Sequence, residues 1–181
     1  MNTKQKLIAS ALKLFNEKGF ENTSTTSICK DAGFSSGALF VHFKTKNDLL
    51  DYLYVSIKKR YFDFVFGNLD PSLKLLDKIR EVLKRSFQYY LNNYQEYVFM
   101  KSFANSIHIS RIAKEEIEFE MQEFLKLIDE LKNNGIIIHE DNNLLISAIS
   151  GIFYSLVEYL QQTGDEDIEK CIDLVLRTIK K

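Results

Sequence analysis

The chain has 181 residues, of which 45% are hydrophobic and 27% are charged, with one proline and seven glycines. This composition excludes an intrinsically disordered chain, and so few turn-forming residues argue against an all-β fold and favour long helices. The two cysteines, Cys29 and Cys171, are too few for a disulfide framework or a metal site. They predict small buried residues in a reducing compartment.

The net charge of −1 is divided unevenly along the chain. Residues 1–50 carry seven lysines and four acidic side chains, a net charge of +3, and the remaining residues carry −4. A basic end is compatible with a nucleic-acid contact there, although the lysines could equally serve only to solvate short helices. The N-terminal residues lack a signal-peptide pattern, and the longest uncharged run, residues 142–157, predicts a helix buried in protein. We therefore expect a cytoplasmic protein that does not cross a membrane.

The first part of the chain predicts two helices. Residues 3–18 place apolar side chains on one helical face, and Gly19 follows them, where a left-handed residue ends a helix at little cost. A short second helix is predicted over residues 25–32, because Ser24 is a favourable N-cap.

A third helix is predicted after a turn that contains a glycine. Ser35 would cap it, and it would run to about Phe43, with Leu39 and Phe43 facing inward. We name residues 35–43 the reading segment. Two short helices joined by such a turn are typical of a helix-turn-helix. A long fourth helix is predicted to start at residue 45 or 46 and to continue to about residue 66.

The rest of the chain is also predicted to be helical. Helices are expected over residues 72–94, with Pro71 at the first helical position, and over 110–133, 141–162 and 165–180. Residues 95–109 predict one or two short helices, and residues 136–139 a connector. The predicted fold is therefore all-α, with about nine helices, and comprises a three-helix N-terminal domain and a larger C-terminal helical domain.

Residues 23–50 read TSTTSICKDAGFSSGALFVHFKTKNDLL. This segment closely resembles the N-terminal DNA-binding motif of the TetR family, with ordered matches at Ala32-Gly33, Ser35, Gly37, Leu39, His42-Phe43, Lys46 and Leu49-Leu50. The resemblance implies a DNA-binding domain over residues 1–46, with its motif at about 24–43, and a ligand-binding and dimerisation domain over residues 47–181. Where the family usually has a tyrosine, this chain has Phe40, which cannot donate a hydroxyl hydrogen bond to phosphate.

The reading segment suits the major groove, which admits one helix with small or polar outer side chains. The candidate DNA-binding residues are Ser24, Thr25, Thr26, Ser35, Ser36, Gly37, Ala38, Phe40, Val41, His42 and Lys46. The resemblance implies that His42 and Lys46 contact the DNA backbone. Ser24 and Ser35 could instead be helix caps that do not touch DNA, and Phe40 could be a packing residue. The segment lacks Arg, Asn and Gln, so part of the discrimination is expected from DNA shape.

The C-terminal body is rich in aromatic residues, most of which are expected in the core. A pocket between its helices is predicted to bind a small, largely apolar effector, with a lining of Phe103, Asn105, His108, Phe119, Met121 and Tyr154. The resemblance implies that the last two helices form a homodimer. They offer stripes at Leu145, Ala148, Ile149, Ile152 and Leu156, and at Ile168, Cys171, Ile172, Val175 and Ile179, which could instead pack within one subunit.

The sequence therefore predicts a ligand-responsive repressor that binds a palindromic operator in double-stranded DNA as a dimer, with no cofactor and no metal. The alternative is a ligand-independent dimeric DNA-binding protein whose C-terminal domain is only structural. An enzyme is not expected, because the sequence has no glycine-rich phosphate loop, no HExxH and no GxSxG.

Overall fold

The computed structural model describes residues 2–103, 106–165 and 167–181. Within these ranges the chain forms nine α-helices and one 3-10 helix, Ala38–Val41, and its strand-like pairing is a single bridge between Ile137 and Lys180. The all-α prediction is confirmed. The helices are α1 (Thr3–Lys18), α2 (Thr25–Asp31), α3 (Lys46–Phe66), α4 (Leu75–Asn92), α5 (Tyr94–Phe103), α6 (Arg111–Glu120), α7 (Gln122–Asn133), α8 (Asn142–Thr163) and α9 (Ile168–Ile179).

The start of α4 differs from the prediction. Pro71 was expected at the first helical position, but α4 begins at Leu75. The Asp70 carboxylate accepts hydrogen bonds from the Ser72 amide at 2.8 Å and from its hydroxyl at 2.7 Å. Because an aspartate that bonds to the backbone two residues ahead closes a turn, Pro71 lies in that turn and precedes the helix.

The helix predicted over residues 110–133 is also divided. It consists of α6 and α7, which meet at Met121. Met121 has a ψ of −11°, which is far from the helical value near −42° and therefore interrupts the helical path. Apolar periodicity continues across such a break, so the pattern alone predicts one helix.

The reading segment contains one turn of 3-10 helix, not the predicted α-helix. Its hydrogen bonds run mostly between residues three apart, as from the Phe40 amide to the Gly37 carbonyl at 3.1 Å. The residue that precedes the 3-10 helix is Gly37, and no side chain caps it, so the expected capping role of Ser35 is wrong. Because serine and glycine have low helix propensity, the first residues of the segment do not sustain an α-helix.

The first compact unit combines the chain up to Lys59 with Asn93–Ile117. In it, α1 lies against α5, and the Asn16 side-chain amide donates a hydrogen bond to the Gln95 carbonyl at 2.8 Å. The buried Thr23 hydroxyl lies 2.8 Å from the Gly19 carbonyl and closes the turn between α1 and α2. Gly19 has a φ of +76°, which a side-chain-bearing residue adopts only at a cost. This turn therefore fixes how α2 follows α1.

The second compact unit is built around α4 and consists of Arg60–Asn92 and Glu118–Lys181. In this unit α4 lies against α7, α8 and α9. The rings of Phe87 and Phe153 are 4.5 Å apart, and the Arg80 guanidinium donates a hydrogen bond to Asp173 at 2.7 Å. Aromatic packing and a charged hydrogen bond thus join α4 to the last two helices.

Helix α8 is apolar on two faces. By length and composition it is the one helix among the described residues that could cross a membrane. Its inner face is buried in the second unit and consists of Leu145, Ile149, Phe153, Val157 and Leu160. Its outer face is exposed and consists of Leu144, Ala148, Gly151, Ser155 and Tyr159. The prediction that this helix is buried in protein therefore holds within the protomer for one face only.

The residues predicted to form the dimer stripes are mostly buried within the protomer. On α9 the side chains of Cys171, Ile172, Val175 and Ile179 are buried, and Ile168 is half-buried. On α8 the same holds for Leu145 and Ile149, whereas Ala148 is exposed and Ile152 and Leu156 are half-buried. The alternative that these stripes pack within one subunit is thus correct for most of their residues.

The half-buried Lys58 predicts a pH-dependent stability. Burial lowers the pKa of the Lys58 ammonium from 10.5 to about 8. Between these values the unfolded chain keeps a proton that the folded chain releases, so the free energy of unfolding rises with pH. We expect Lys58→Met to remove this rise, because methionine has no proton to release.

Urea unfolding of both proteins at pH 7 and pH 10 measures this effect. The free energy of unfolding of the unchanged chain is expected to rise relative to that of the variant over this interval, because the lysine loses its charge in the folded state. Lys30→Met removes an exposed lysine and serves as the control, with a small effect at both pH values. A difference that is independent of pH would contradict the assignment.

Candidate nucleic-acid interface

The reading segment is exposed on its outer side and anchored by two buried side chains. Leu39 is fully buried and Phe43 is 6% exposed, whereas Phe40 and Val41 are 55% and 79% exposed. The inward orientation predicted for Leu39 and Phe43 is confirmed. The other exposed residues of the segment are Ser35, Ser36, Gly37 and His42, and Ala38 is half-buried. The segment thus presents a narrow ridge of small, hydroxyl and apolar groups to solvent.

Helix α2 begins with a reciprocal capping interaction. The Ser24 hydroxyl accepts a hydrogen bond from the Ser27 amide at 3.0 Å, and the Ser27 hydroxyl accepts one from the Ser24 amide at 3.1 Å. The predicted capping role of Ser24 is confirmed. In the first turn of α2 Thr26 is exposed and Thr25 is half-buried, and further along the helix Cys29 is buried. The two threonine positions lie at the start of a helix whose inner face is fixed.

Lys46 is engaged inside the first unit. Its ammonium donates hydrogen bonds to the carbonyls of Phe20 at 2.9 Å and Thr23 at 3.1 Å. It also lies 4.0 Å from the centroid of the Phe20 ring, within the range of a cation–π interaction. The first residue of α3 therefore holds the turn between α1 and α2. Its predicted contact with the DNA backbone stays a prediction.

Substitution of Lys46 separates these two roles. We expect Lys46→Met to lower the free energy of unfolding by about 1–3 kcal/mol, because it removes both hydrogen bonds of the ammonium and leaves the Phe20 carbonyl with only the Thr23 amide as donor. Because the ammonium is already bonded to these carbonyls, we expect the salt dependence of DNA binding to stay unchanged, which is the opposite of what the resemblance implies. A lost phosphate contact would instead lower the slope of log K against log salt by about 0.9 for each protomer.

Urea unfolding and DNA titrations at several salt concentrations make these measurements. Lys44→Met, which removes an exposed lysine two residues earlier, is the matched control and should leave stability unchanged. A reduced salt slope with full stability in Lys46→Met would show that the ammonium binds phosphate instead.

The start of α1 lies beside the reading segment. A groove of about 550 Å³ separates them and is lined by Asn2, Thr3, Lys4, Ala38, Val41 and His42. The Lys4 ammonium lies 4.3 Å from the Tyr52 ring centroid and 5.4 Å from that of Phe43. A cation is therefore held next to the anchor of the reading segment.

Sequence reasoning missed these residues of the first helix as part of the candidate interface. Asn2 caps α1 through the Gln5 amide at 2.9 Å, which fixes Thr3 and Lys4 at the groove. The signal available in the sequence was the pair Lys4 and Lys6 at the start of a helix. Lysines at that position are commonly only solvated, so the pattern did not identify them.

The predicted effector residues are divided between the two units. Phe103 and His108 belong to the first, and Phe119, Met121 and Tyr154 to the second. Phe103 is buried, Phe119 is 71% exposed, and the other two in the second unit are half-buried. Asn105 lies outside the described residues. In neither unit do the described residues of this set line one common pocket.

His108 contacts two residues of the turn after α1. Its ring stacks on Phe20 with centroids 4.5 Å apart, and its Nε2 atom lies 3.1 Å from a carboxylate oxygen of Glu21. Its backbone amide donates a hydrogen bond to the Ser106 hydroxyl at 3.1 Å. The histidine predicted to touch an effector is thus already held by side chains of the first unit.

Each unit has a surface groove with an apolar wall. The first, of about 480 Å³, lies between α3 and α6 and includes Tyr52, Val55 and Ile112 in its lining. The second, of about 400 Å³, includes Phe62 and Phe66 near the end of α3. Neither groove is lined by a residue that was predicted to contact an effector.

The cysteines are buried, as predicted from their positions in the pattern. Both carry free thiols, and burial raises the pKa of Cys171. Because the thiolate is the reactive form, Cys171 is poorly suited to nucleophilic chemistry. Over the described ranges, no group of histidine, cysteine and acidic side chains is placed to hold a metal ion.

Comparison with known proteins gives a match in the part of the chain that holds this interface. Residues 7–53 match the family model of bacterial regulatory proteins, tetR family. The HTH-type transcriptional regulator YuxN of Bacillus subtilis is 40% identical over 70 residues, which are 38% of this chain and 23% of that protein. The chain thus matches less than a quarter of the length of this relative.

Solved structures extend the likeness to the whole fold. A putative tetR family transcription regulator from Shewanella sp. PV-4 has a TM-score of 0.85 at 20% identity and covers 100% of both chains. A TetR family transcription regulator from Marinobacter aquaeolei VT8 has a TM-score of 0.87 at 19% identity and covers 99% of this chain and 96% of its own. At these identities the likeness shows the fold. Residues 7–53 are thus similar in sequence to the tetR family, and the whole chain shares the fold of these two structures.

Proposed function

We propose that this chain is a transcriptional repressor that binds a palindromic operator in double-stranded DNA as a homodimer and responds to a small, largely apolar effector. The observation that carries the proposal is the exposure of Phe40 and Val41 on a segment that Leu39 and Phe43 anchor from below. A narrow anchored ridge of this kind fits the major groove, which is about 12 Å wide. A protein that binds operator DNA would act in the cytoplasm.

The DNA contacts are proposed at the outer residues of the motif. Ser35, Ser36, Gly37, Ala38, Phe40 and Val41 would face the bases, and Thr25, Thr26 and His42 would contact the backbone. The exposed lysines Lys6, Lys30 and Lys44 supply positive charge in the same unit. Phosphate contacts of this kind provide affinity and register, whereas contacts to base edges provide specificity.

The dimer is proposed to form through the outer face of α8. This face exposes Leu144, Ala148, Gly151, Ser155 and Tyr159, and Leu174 of α9 is also 43% exposed. Small residues along one helix allow the same helix of a second protomer to approach closely. A two-fold dimer reads two half-sites about 34–36 Å apart or a multiple of that, which explains why we expect a palindrome.

The response to an effector is proposed to act through α3. This helix begins next to the reading segment, and the division between the two units falls within it, after Lys59. The domain boundary that we propose near residue 46 would separate the DNA-binding residues from α3. This helix would then transmit the effect of the effector to the DNA-binding residues. An effector shifts DNA affinity only if it binds the two states of the protein unequally.

A ligand-independent DNA-binding protein is the second candidate. It is favoured by the burial of Phe103 and by the contacts of His108 with Phe20 and Glu21, which occupy two predicted effector residues. Thermal unfolding with a panel of small apolar compounds distinguishes the two candidates. A compound that raises the unfolding temperature and changes DNA affinity supports the repressor, and no such compound supports the second candidate.

Selection of bound sequences from random duplex DNA tests the proposed function. The purified full chain is expected to enrich a palindrome with two half-sites centred about one helical turn apart. Enrichment of no sequence would contradict DNA recognition. Enrichment of a single half-site would contradict recognition as a dimer.

A further inference from the structure

The ridge of the reading segment offers few hydrogen-bonding groups and two large apolar ones. Between Phe34 and Phe43 the sequence contains no Arg, Lys, Asn, Gln, Asp or Glu, so its polar side chains are Ser35, Ser36 and His42. The two most prominent side chains are Phe40 and Val41, which are adjacent and mostly exposed. Exposed apolar groups that lie together usually mark a contact surface.

The burial pattern shows that these two side chains are not required for the core. The anchoring positions are taken by Leu39 and Phe43, which are almost completely buried. In a 3-10 helix side chains three residues apart share an edge, so Val41 lies on the same edge as Ala38. Both line the groove beside the start of α1, together with Lys4. The apolar edge thus lies next to a cation that can attract the DNA backbone.

The major groove presents only one apolar group to such an edge. Thymine carries a methyl group at C5, and cytosine carries none unless it is modified, whereas the other group positions along the groove are donors and acceptors. We propose that Phe40 and Val41 read the 5-methyl groups of pyrimidines and thereby select thymine at defined positions of each half-site. This inference rests on the proposed DNA-binding function and specifies what the reading segment recognises.

Replacement of thymine by deoxyuridine in the selected operator tests the inference. Deoxyuridine keeps the base pair and the O4 acceptor and removes only the methyl group. At the contacted position we expect about a four-fold loss of affinity for each methyl group, and therefore about 15-fold when both half-sites are changed. Thymines at other positions are expected to show less than a two-fold effect.

Variants of the protein assign the methyl contact to the two side chains. In Val41→Ala or Phe40→Ala the side chain that contacts the methyl group is missing. At that position we expect deoxyuridine to cost no further affinity, because the contact is already lost. Phe40→Tyr keeps the ring and is expected to retain the effect. Both residues are exposed, so these variants should keep their helical circular dichroism and dimeric state.

The outcomes distinguish this inference from the function on which it rests. If the chain binds a selected operator but no deoxyuridine replacement costs more than two-fold, the inference is overturned and DNA binding stands. The same holds if the selected half-sites contain no thymine, or if both alanine variants keep the full methyl effect. If the chain selects no DNA, the proposed function and the inference fall together, and the exposed pair is then a surface for another protein.

Discussion

Replacing Ser36 with glutamate is expected to lower operator affinity at least about 100-fold, because it places a negative charge against DNA where like charges cost several kcal/mol. Ser36 lies in the turn before the 3-10 helix and is exposed, so its side chain makes no demand on the core. The anchors Leu39 and Phe43 are unchanged, and the reading segment should keep its position. A dimer carries two such charges, one for each half-site.

Fluorescence anisotropy with a labelled operator measures this loss. Ser102→Glu is the matched control, since it adds the same charge at an exposed position of α5 in the same unit. It is expected to weaken binding only slightly, through the net charge. Equal losses in the two variants would mean that affinity depends on overall charge and not on the reading segment. An unchanged affinity in Ser36→Glu would remove this segment from the DNA interface.

The second large effect is expected from Gly151→Glu on the outer face of α8. Gly151 is exposed, and a Cβ atom added there would meet no atom within 4 Å outside its own stretch of helix, so the isolated chain has room for a side chain at this position. The substitution also replaces a glycine in a helix interior. If glutamate behaves like alanine there, the replacement stabilises the helix by about 0.5–1 kcal/mol. Any loss of assembly must therefore arise between protomers.

We expect the variant to be monomeric at micromolar concentration and to bind the palindromic operator on the order of 1,000-fold more weakly. The reason is that an unpaired charge would be buried against the second protomer, which costs several kcal/mol. Sedimentation velocity measures the assembly, and Asn143→Glu, at an exposed position on another side of the same helix, is the control. A dimeric Gly151→Glu protein would mean that the protomers meet through another surface.

Periodicity predicted the helices well where local sequence decides the structure. The first helix, the cap at Ser24 and the buried anchors Leu39 and Phe43 follow from apolar spacing and capping chemistry alone. The type of helix in the reading segment does not, since serine and glycine weaken the α-helix and tertiary anchoring then decides the geometry. Likewise, the break at Met121 leaves the apolar pattern intact and is therefore invisible to it.

Long-range contacts explain the remaining differences at the candidate site. The Lys46 ammonium bonds to the carbonyl of Phe20, and the His108 ring stacks on the ring of the same residue. These partners lie 26 and 88 residues earlier in the chain. A single sequence gives no information about such pairs, because long side chains reach many partners. The outer face of α8 shows a further limit, since a helix that is apolar on two faces does not reveal which face packs within the protomer.

We propose that the exposed residues of the segment 35–43 bind in the major groove of duplex DNA. Amide hydrogen exchange, measured with and without a saturating amount of selected operator, tests it most directly. We predict that peptides covering the reading segment and α2 exchange at least about tenfold more slowly in the complex, since DNA excludes water from their exposed amides. Unchanged exchange in those peptides, with protection found only in α8 and α9 or nowhere, would contradict the account.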